Sequence, residues 1–198
     1  MKCGQIPNTW RSVVGVWYLS RGQTLSGPFA AESPNQKWGV DITYLPTREG
    51  WLYLAVVLDL CSRKLVGWAF SDSLATDLVV QALDMAVQLR CPGPGLLHHS
   101  DRGCQYASER YRTLLQSHGI TCSMSRKGNC WDNAPTERVF NAVKNEWTIH
   151  HDYATHQEAK MSVVNYITLF YNPKRRHESL GYKTPDQFEA EYARPHAA

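Results

Sequence analysis

Three acidic residues have the type and setting to do chemistry together: Asp41, Asp101 and Glu137, with 59 residues between the first two and 35 between the last two. Asp41 lies within Trp38-Gly-Val-Asp-Ile-Thr-Tyr44, a stretch otherwise suited to burial, where an ionised carboxylate is costly unless it meets a cation or several donors. Asp101 follows a short apolar strand directly and is flanked by Arg102 and Gly103, at the carboxyl end where α/β sheets place ligands. Glu137 falls in the first turns of a helix opened by Asn133-Ala-Pro135. Hard oxygen ligands converging from two strand positions and a helix suit Mg²⁺ or Mn²⁺, which take few protein carboxylates and fill their remaining positions with water and phosphate. Two such ions about 3.5–4 Å apart would activate an attacking oxygen and stabilise the leaving one in a phosphodiester displacement. On the residues alone a second reading stands beside this one: each acid is separately a turn cap, a solvated residue or half of an ion pair.

Cations that could meet phosphate lie in three places. Lys144 is seven residues after Glu137, two helical turns on, and with Asn141 it forms a polar stripe beside the apolar stripe Val139, Phe140, Val143, Trp147. It reads either as a phosphate-holding cation or as a solvated helix lysine. Arg126 and Lys127 stand in a glycine-bearing loop before Glu137. Lys174, Arg175, Arg176 and His177 are the densest basic cluster, with Tyr166, Tyr171 and Tyr182 nearby, and read as a phosphate-contacting tail or as a solvated face. Asp59 ends a strand beside Ser62 and Arg63 and is expected to hold the turn. His98 and His99 are expected in core packing and site support, since oxygen-rich Mg²⁺ sites seldom use imidazole. Asp132 reads as a cap and Glu146 as a solvated helix position. The six cysteines are scattered with no C-x-x-C pair, so they suggest neither a zinc clip nor a disulfide framework.

Something must gather the three acids, and the hydrophobic pattern predicts what. Residues 1–35 are rich in Gly, Ser, Pro and Gln and read as an arm or linker, with one possible short strand at 13–18. From residue 37, Trp38, Val40, Ile42 and Tyr44 alternate with smaller or polar residues, predicting a half-buried strand with Asp41 on the opposite face. A turn at Pro46-Thr-Arg-Glu-Gly50, a continuous apolar strand over 51–60 and a third strand over 65–70 complete an antiparallel meander. The period then becomes 3.6: Leu78, Ala82, Met85, Ala86 and Leu89 share a stripe closed by Cys91-Pro-Gly-Pro-Gly95. Short strands at 96–99 and 120–124 bracket a helix capped by Ser108. A helix from Asp132 or Asn133 to about Trp147, a helix opened by Thr155-His-Gln-Glu158 and a short last helix at Thr184-Pro-Asp-Gln187 follow. The sum is a mixed α/β fold with helices on a central five-stranded sheet: an arm at 1–35, a core at 36–150 and a helical extension with a basic tail at 151–198.

The composition agrees with one globular domain: 198 residues, 43% hydrophobic, and 21 Lys+Arg against 18 Asp+Glu for a net charge of +3. The longest apolar run, from residue 51 to 58, is too short for a membrane helix, and the amino end shows no secretory signal, so the expectation is a soluble chain in a reducing, cytoplasmic compartment.

The same blocks resemble a known family. Trp38-Gly-Val-Asp41-Ile-Thr-Tyr, His99-Ser-Asp101-Arg-Gly-Cys-Gln-Tyr106 and Ser125-Arg-Lys-Gly-Asn-Cys-Trp-Asp-Asn-Ala-Pro-Thr-Glu137 look like the three catalytic blocks of bacterial insertion-sequence transposases with a retroviral-integrase-like core. The 35-residue spacing is that family's D,D(35)E arrangement, and Tyr171-Asn-Pro-Lys-Arg-Arg-His177 with Leu180-Gly-Tyr-Lys-Thr-Pro185 looks like its C-terminal signature. The resemblance implies a ribonuclease H-like fold, a site for Mg²⁺ or Mn²⁺ made by Asp41, Asp101 and Glu137 and holding two ions, and cutting and joining of DNA strands. It further implies a role for Lys144 against DNA phosphate, transposon ends and target DNA as partners, and a homo-oligomer assembled on DNA at the nucleoid. Two alternatives remain at this point: a nuclease of the same fold that cuts without joining, and a truncated module that only binds. Residues 1–28 depart from the family pattern, with no pair of helices about a Gly turn, so the expectation is that recognition of specific ends is either missing or delegated to a second DNA-binding polypeptide.

Overall fold

A computed structural model describes residues 31–100, 103–124 and 134–194. The arm at 1–30, Asp101, Arg102, Arg126, Lys127, Asp132 and Asn133 lie outside the described residues, and Glu137 is described in backbone only.

Five strands form one mixed sheet in the order β3-β2-β1-β4-β5. Strands β1 (Lys37–Thr47), β2 (Gly50–Asp59) and β3 (Leu65–Ser71) run antiparallel, with Asp41 opposite Val56. Strands β4 (Leu97–Ser100) and β5 (Thr121–Met124) add in parallel on the other side of β1, with Trp38 against His98 and Gly39 against His99. The first hairpin is tighter than the Pro46–Gly50 turn expected from sequence. Pairing continues to Thr47 and Gly50 because the Thr47 hydroxyl donates to the Gly50 carbonyl at 2.8 Å and accepts the Glu49 N–H at 3.2 Å. Gly50, at φ +112°, supplies a backbone angle that other residues rarely adopt.

Both faces of the sheet are covered, which explains the unbroken apolar run of β2. Trp38, Val40, Ala55, Val57 and Val66 face α1 (Thr76–Arg90) and α2 (Glu109–Ser117), while Leu45, Leu54, Val56 and Leu58 face α3 (Ala134–Ala142) and α4 (His156–Asn165). The face of β1 that carries Asp41 is therefore helix-covered. The predicted long helix to Trp147 is present, its last part, Val143–Trp147, wound as a wider π turn; α4 likewise continues as a π turn over Tyr166–Tyr171. Local signals set the starts: Ser108 accepts the Tyr111 N–H, Thr155 accepts the Glu158 N–H, and Thr184 with Gln187 completes a reciprocal box at the head of α5 (Pro185–Tyr192).

The stripe predicted for α1 is turned around the helix. Leu78, Val79, Ala82, Leu83, Ala86 and Val87 are buried, whereas Leu89 is 59% exposed. The contact line is set by Gly67 of β3, over which Ala82 and Ala86 pass so closely that a Cβ on Gly67 would meet the Ala82 carbonyl oxygen and lie 2.8 Å from the Ala86 Cβ.

The segment after α4 is tied to the sheet by polar contacts. Asn172, buried, accepts the Leu65 N–H and donates to the Leu65 carbonyl, both at 3.0 Å, and so occupies the backbone groups that open edge strand β3. Glu189 of α5 receives Arg90 from α1 at 2.7 and 2.8 Å and Lys64 at 3.2 Å. Burial opposes ionisation of Glu189, and the bonds to Arg90 and Ser62 outweigh it, so its carboxyl titrates below the usual range.

Two substitutions test this packing by thermal melting. Gly67→Ala should destabilise by about 1–3 kcal/mol, as overpacking does, lowering Tm by roughly 2–4 °C per kcal/mol in a chain of this size. Asn172→Leu should cost about 2 kcal/mol or more, since it strands a buried donor and a buried acceptor.

Candidate active site

Asp41 lies at the centre of β1, half-buried, its Oδ1 accepting the Ile42 N–H at 2.8 Å. It lines a pocket of about 220 Å³ with Thr43, Tyr53, Gly103, Gln105 and Tyr106. The parallel pairing of β1 with β4 brings this pocket to the carboxyl end of β4, whose last residue, Ser100, is fully buried. Asp101 itself is outside the described residues, but Gly103, two positions on, is a wall of the pocket. Helix α3 packs on β1. Its π-wound continuation places the Lys144 Nζ 4.6 Å from the centre of the Tyr44 ring. Burial lowers the Lys144 pKa and the Asp41 charge pulls the other way, so this lysine and this carboxylate share one electrostatic environment.

Among the described residues no group of three or more His, Cys, Asp or Glu side chains is arranged to hold a metal, and two of the three predicted acids are not within that set. The walls contributed by Thr43, Gln105 and Tyr106 offer neutral oxygens, and among the described residues neither imidazole nor thiol lines the pocket. That donor chemistry fits a hard divalent ion. Tyr53, Gln105 and Tyr106 were not singled out from sequence; the signal available for the last two was their place in the block that begins at His99.

The other sequence candidates sort by contact. Asn141 is exposed on α3. Lys174 and Arg176 are exposed, whereas Arg175 is half-buried: its guanidinium donates to both Glu146 carboxylate oxygens at 2.8 and 2.6 Å and lies 5.7 Å from the Tyr171 ring centre. Glu146 is exposed, as expected, and is also an ion-pair partner; the bond from Arg175 holds its carboxyl below the usual range. Asp59 holds its turn as expected, fully buried, its oxygens accepting the N–H groups of Cys61, Ser62 and Asn35 at 2.9, 2.9 and 2.6 Å. His98 is buried and shares a 2.7 Å hydrogen bond with the Tyr111 hydroxyl, and His99 lies 3.4 Å from the Ser123 hydroxyl.

Residues 31–130 match the integrase core domain, and residues 118–185 match a second integrase core domain pattern. A transposase for the insertion sequence element IS904 of Lactococcus lactis subsp. lactis is 43% identical over 171 residues, covering 86% of this chain and 68% of the relative. This chain belongs to the integrase-core family of insertion-sequence transposases. A 31 kDa protein of insertion element IS600 from Shigella sonnei is also 43% identical, over 168 residues that span 85% of this chain and 62% of that protein. The chain thus spans about three fifths to two thirds of the length of these two family members. In structure it resembles the HTLV-2 integrase catalytic core domain in complex with magnesium, with TM-score 0.62 and 16% identity over 80% of this chain and 99% of that one. The fold is that of the ribonuclease H-like integrase cores. No helix among the described residues is long and apolar enough to cross a membrane.

One buried and one half-buried imidazole, His98 and His177, should make stability fall in acid. Burial pushes His98 down to about 3. Burial together with the Arg175 and Arg63 charges pushes His177 down to about 4. An unfolded chain protonates both near pH 6.5, so between that value and the folded ones the unfolded state holds more protons and stability falls as pH drops. Urea melts at pH 7.5, 6.0 and 5.0 should show a falling midpoint over a range where most carboxylates stay ionised. His177→Gln should flatten part of that slope, and an unchanged slope would contradict the assignment.

Proposed function

We propose that this chain is the catalytic core of a transposase, a polynucleotidyl transferase that cuts DNA at element ends and joins the freed 3′-hydroxyl to target DNA. The observation that carries this reading is the pocket that Asp41 of β1 lines together with Gly103, two positions after Asp101, with Lys144, seven residues after Glu137, close enough to feel the Asp41 charge. The sequence spacing and family membership support the same three acids, Asp41, Asp101 and Glu137, as ligands of Mg²⁺ or Mn²⁺. Such ions, two in this reading, supply Lewis acidity for in-line attack on a phosphodiester.

The chain's own residues supply the rest. Asp41 contributes fixed negative charge, and its bond from the Ile42 N–H holds the carboxylate in orientation. Thr43 and Gln105 offer oxygens to metal-bound water or to substrate. Lys144, half-desolvated and beside Asp41, draws a DNA phosphate toward the acids. Arg126, Lys127, Lys174 and Arg176 add contacts to the DNA backbone, with Asn141 on the same helix as Lys144. The domain reading is a core at 36–150 with 151–198 as its extension, supported by the packing of Ala159, Val163, Tyr166 and Ile167 into the same cluster as β2. The partners are transposon ends, target DNA and further copies of this chain assembled on them. The setting is the bacterial cytoplasm, on the nucleoid.

Asp101→Asn should abolish Mg²⁺-dependent joining of labelled element ends to a target duplex while gel-shift affinity for the same ends stays near that of the unaltered protein. Full joining by this variant would refute the role of Asp101. Cutting without joined product from the unaltered protein would favour a nuclease.

A further inference from the structure

Two large aromatic side chains project from the hairpin beside the pocket. Tyr44 and Trp51 are 52% and 54% exposed, and their rings meet edge to face at 4.9 Å and 83°. The register explains the pair: Tyr44 is opposite Tyr53 and Trp51 opposite Pro46, so Tyr44 and Trp51 are diagonal neighbours on one face of the hairpin. The tight turn locked by Thr47 holds them in place. An indole and a phenol kept half in water gain less from packing than they would inside the core, yet this pair is ordered against each other and beside a cation. The Lys144 ammonium lies on the face of the Tyr44 ring, and Tyr44 is itself a wall of the Asp41 pocket.

We infer that Trp51, braced by Tyr44, is a stacking platform for an unpaired base of the DNA strand whose backbone enters the Asp41 pocket. The inference rests on the transposase reading and adds to it the state of the DNA that the site receives. A base inside a duplex has both faces covered by its neighbours, so away from a duplex end an exposed indole can stack only on a base freed from its neighbours. The charge agrees: Lys144, on the ring that braces the indole, is placed for the phosphate of that same nucleotide. Tyr44 is three residues from Asp41 along β1, about 10 Å at the rise of a strand, so the stacked base belongs within a few nucleotides of the phosphate at Asp41.

The test is fluorescence anisotropy of the full chain with two labelled duplexes of one sequence, one blunt and one ending in a short unpaired tail. The unaltered protein should prefer the tailed duplex by about tenfold, the size of one base–aromatic stack. Trp51→Leu should bring that ratio close to one, and Trp51→Phe should keep most of it. Tyr44→Leu should reduce it in part. Far-ultraviolet circular dichroism and melting should show each variant folded. A ratio unaltered in Trp51→Leu, equal weakening of both duplexes by that variant, or no preference in the unaltered protein overturns the platform while leaving the transposase reading in place. Failure of the unaltered protein to bind either duplex overturns both.

Discussion

A carboxylate placed in the middle of a sheet strand must be kept ionised against the loss of water, and that requirement organises this protein. Asp41 sits on the helix-covered face of β1, between the buried residues Gly39 and Thr43, and is only half-buried because a pocket opens over it. Desolvation there penalises charge unless opposite charge faces it. The Asp41 charge favours the ammonium of Lys144, on the π-wound continuation of α3, which burial penalises.

The frame around that cleft is rigid for reasons unrelated to its chemistry. Two apolar layers sandwich the sheet, and each fully buried Leu, Val or Phe contributes on the order of 1.5–3 kcal/mol. Parallel pairing of β1 with β4 is what brings residues about sixty positions apart to one edge of the cleft. The polar contacts of the C-terminal segment work the same way. Asn172 satisfies the first backbone groups of β3, and Arg90, Lys64 and Glu189 join α1, the β2–β3 turn and α5. Such half-buried pairs fix geometry more than they add net stability, since each ion gives up water to make them.

This accounting changes the meaning of the basic cluster at 174–176. A run of cations in sequence reads as a phosphate-binding surface, but Arg175 is committed to Glu146 and Tyr171 within the protein. The cation that feels the Asp41 charge is instead Lys144, thirty residues earlier, and the aromatic ring beside it comes from a hairpin a hundred residues earlier still.

Much of this architecture was readable along the chain. Strand and helix order follows from the change of hydrophobic period. The caps at Ser108, Thr155 and Thr184 and the turn held by Asp59 depend on residues within a few positions of each other, so short-range spacing predicts them. The spacing of Asp41, Asp101 and Glu137 marked them as candidates for the same reason: a fixed order of blocks is a one-dimensional property. What only the tertiary structure decided was partnership. The buried stripe of α1 is set by its crossing over Gly67 rather than by Leu89. The hairpin closes later than its Pro and Gly suggest, Arg175 pairs with Glu146, and Tyr53, Gln105 and Tyr106 become walls of one pocket. Each of these depends on distances between segments far apart in the chain. Local propensity carries no record of such distances, because they follow from how whole layers pack.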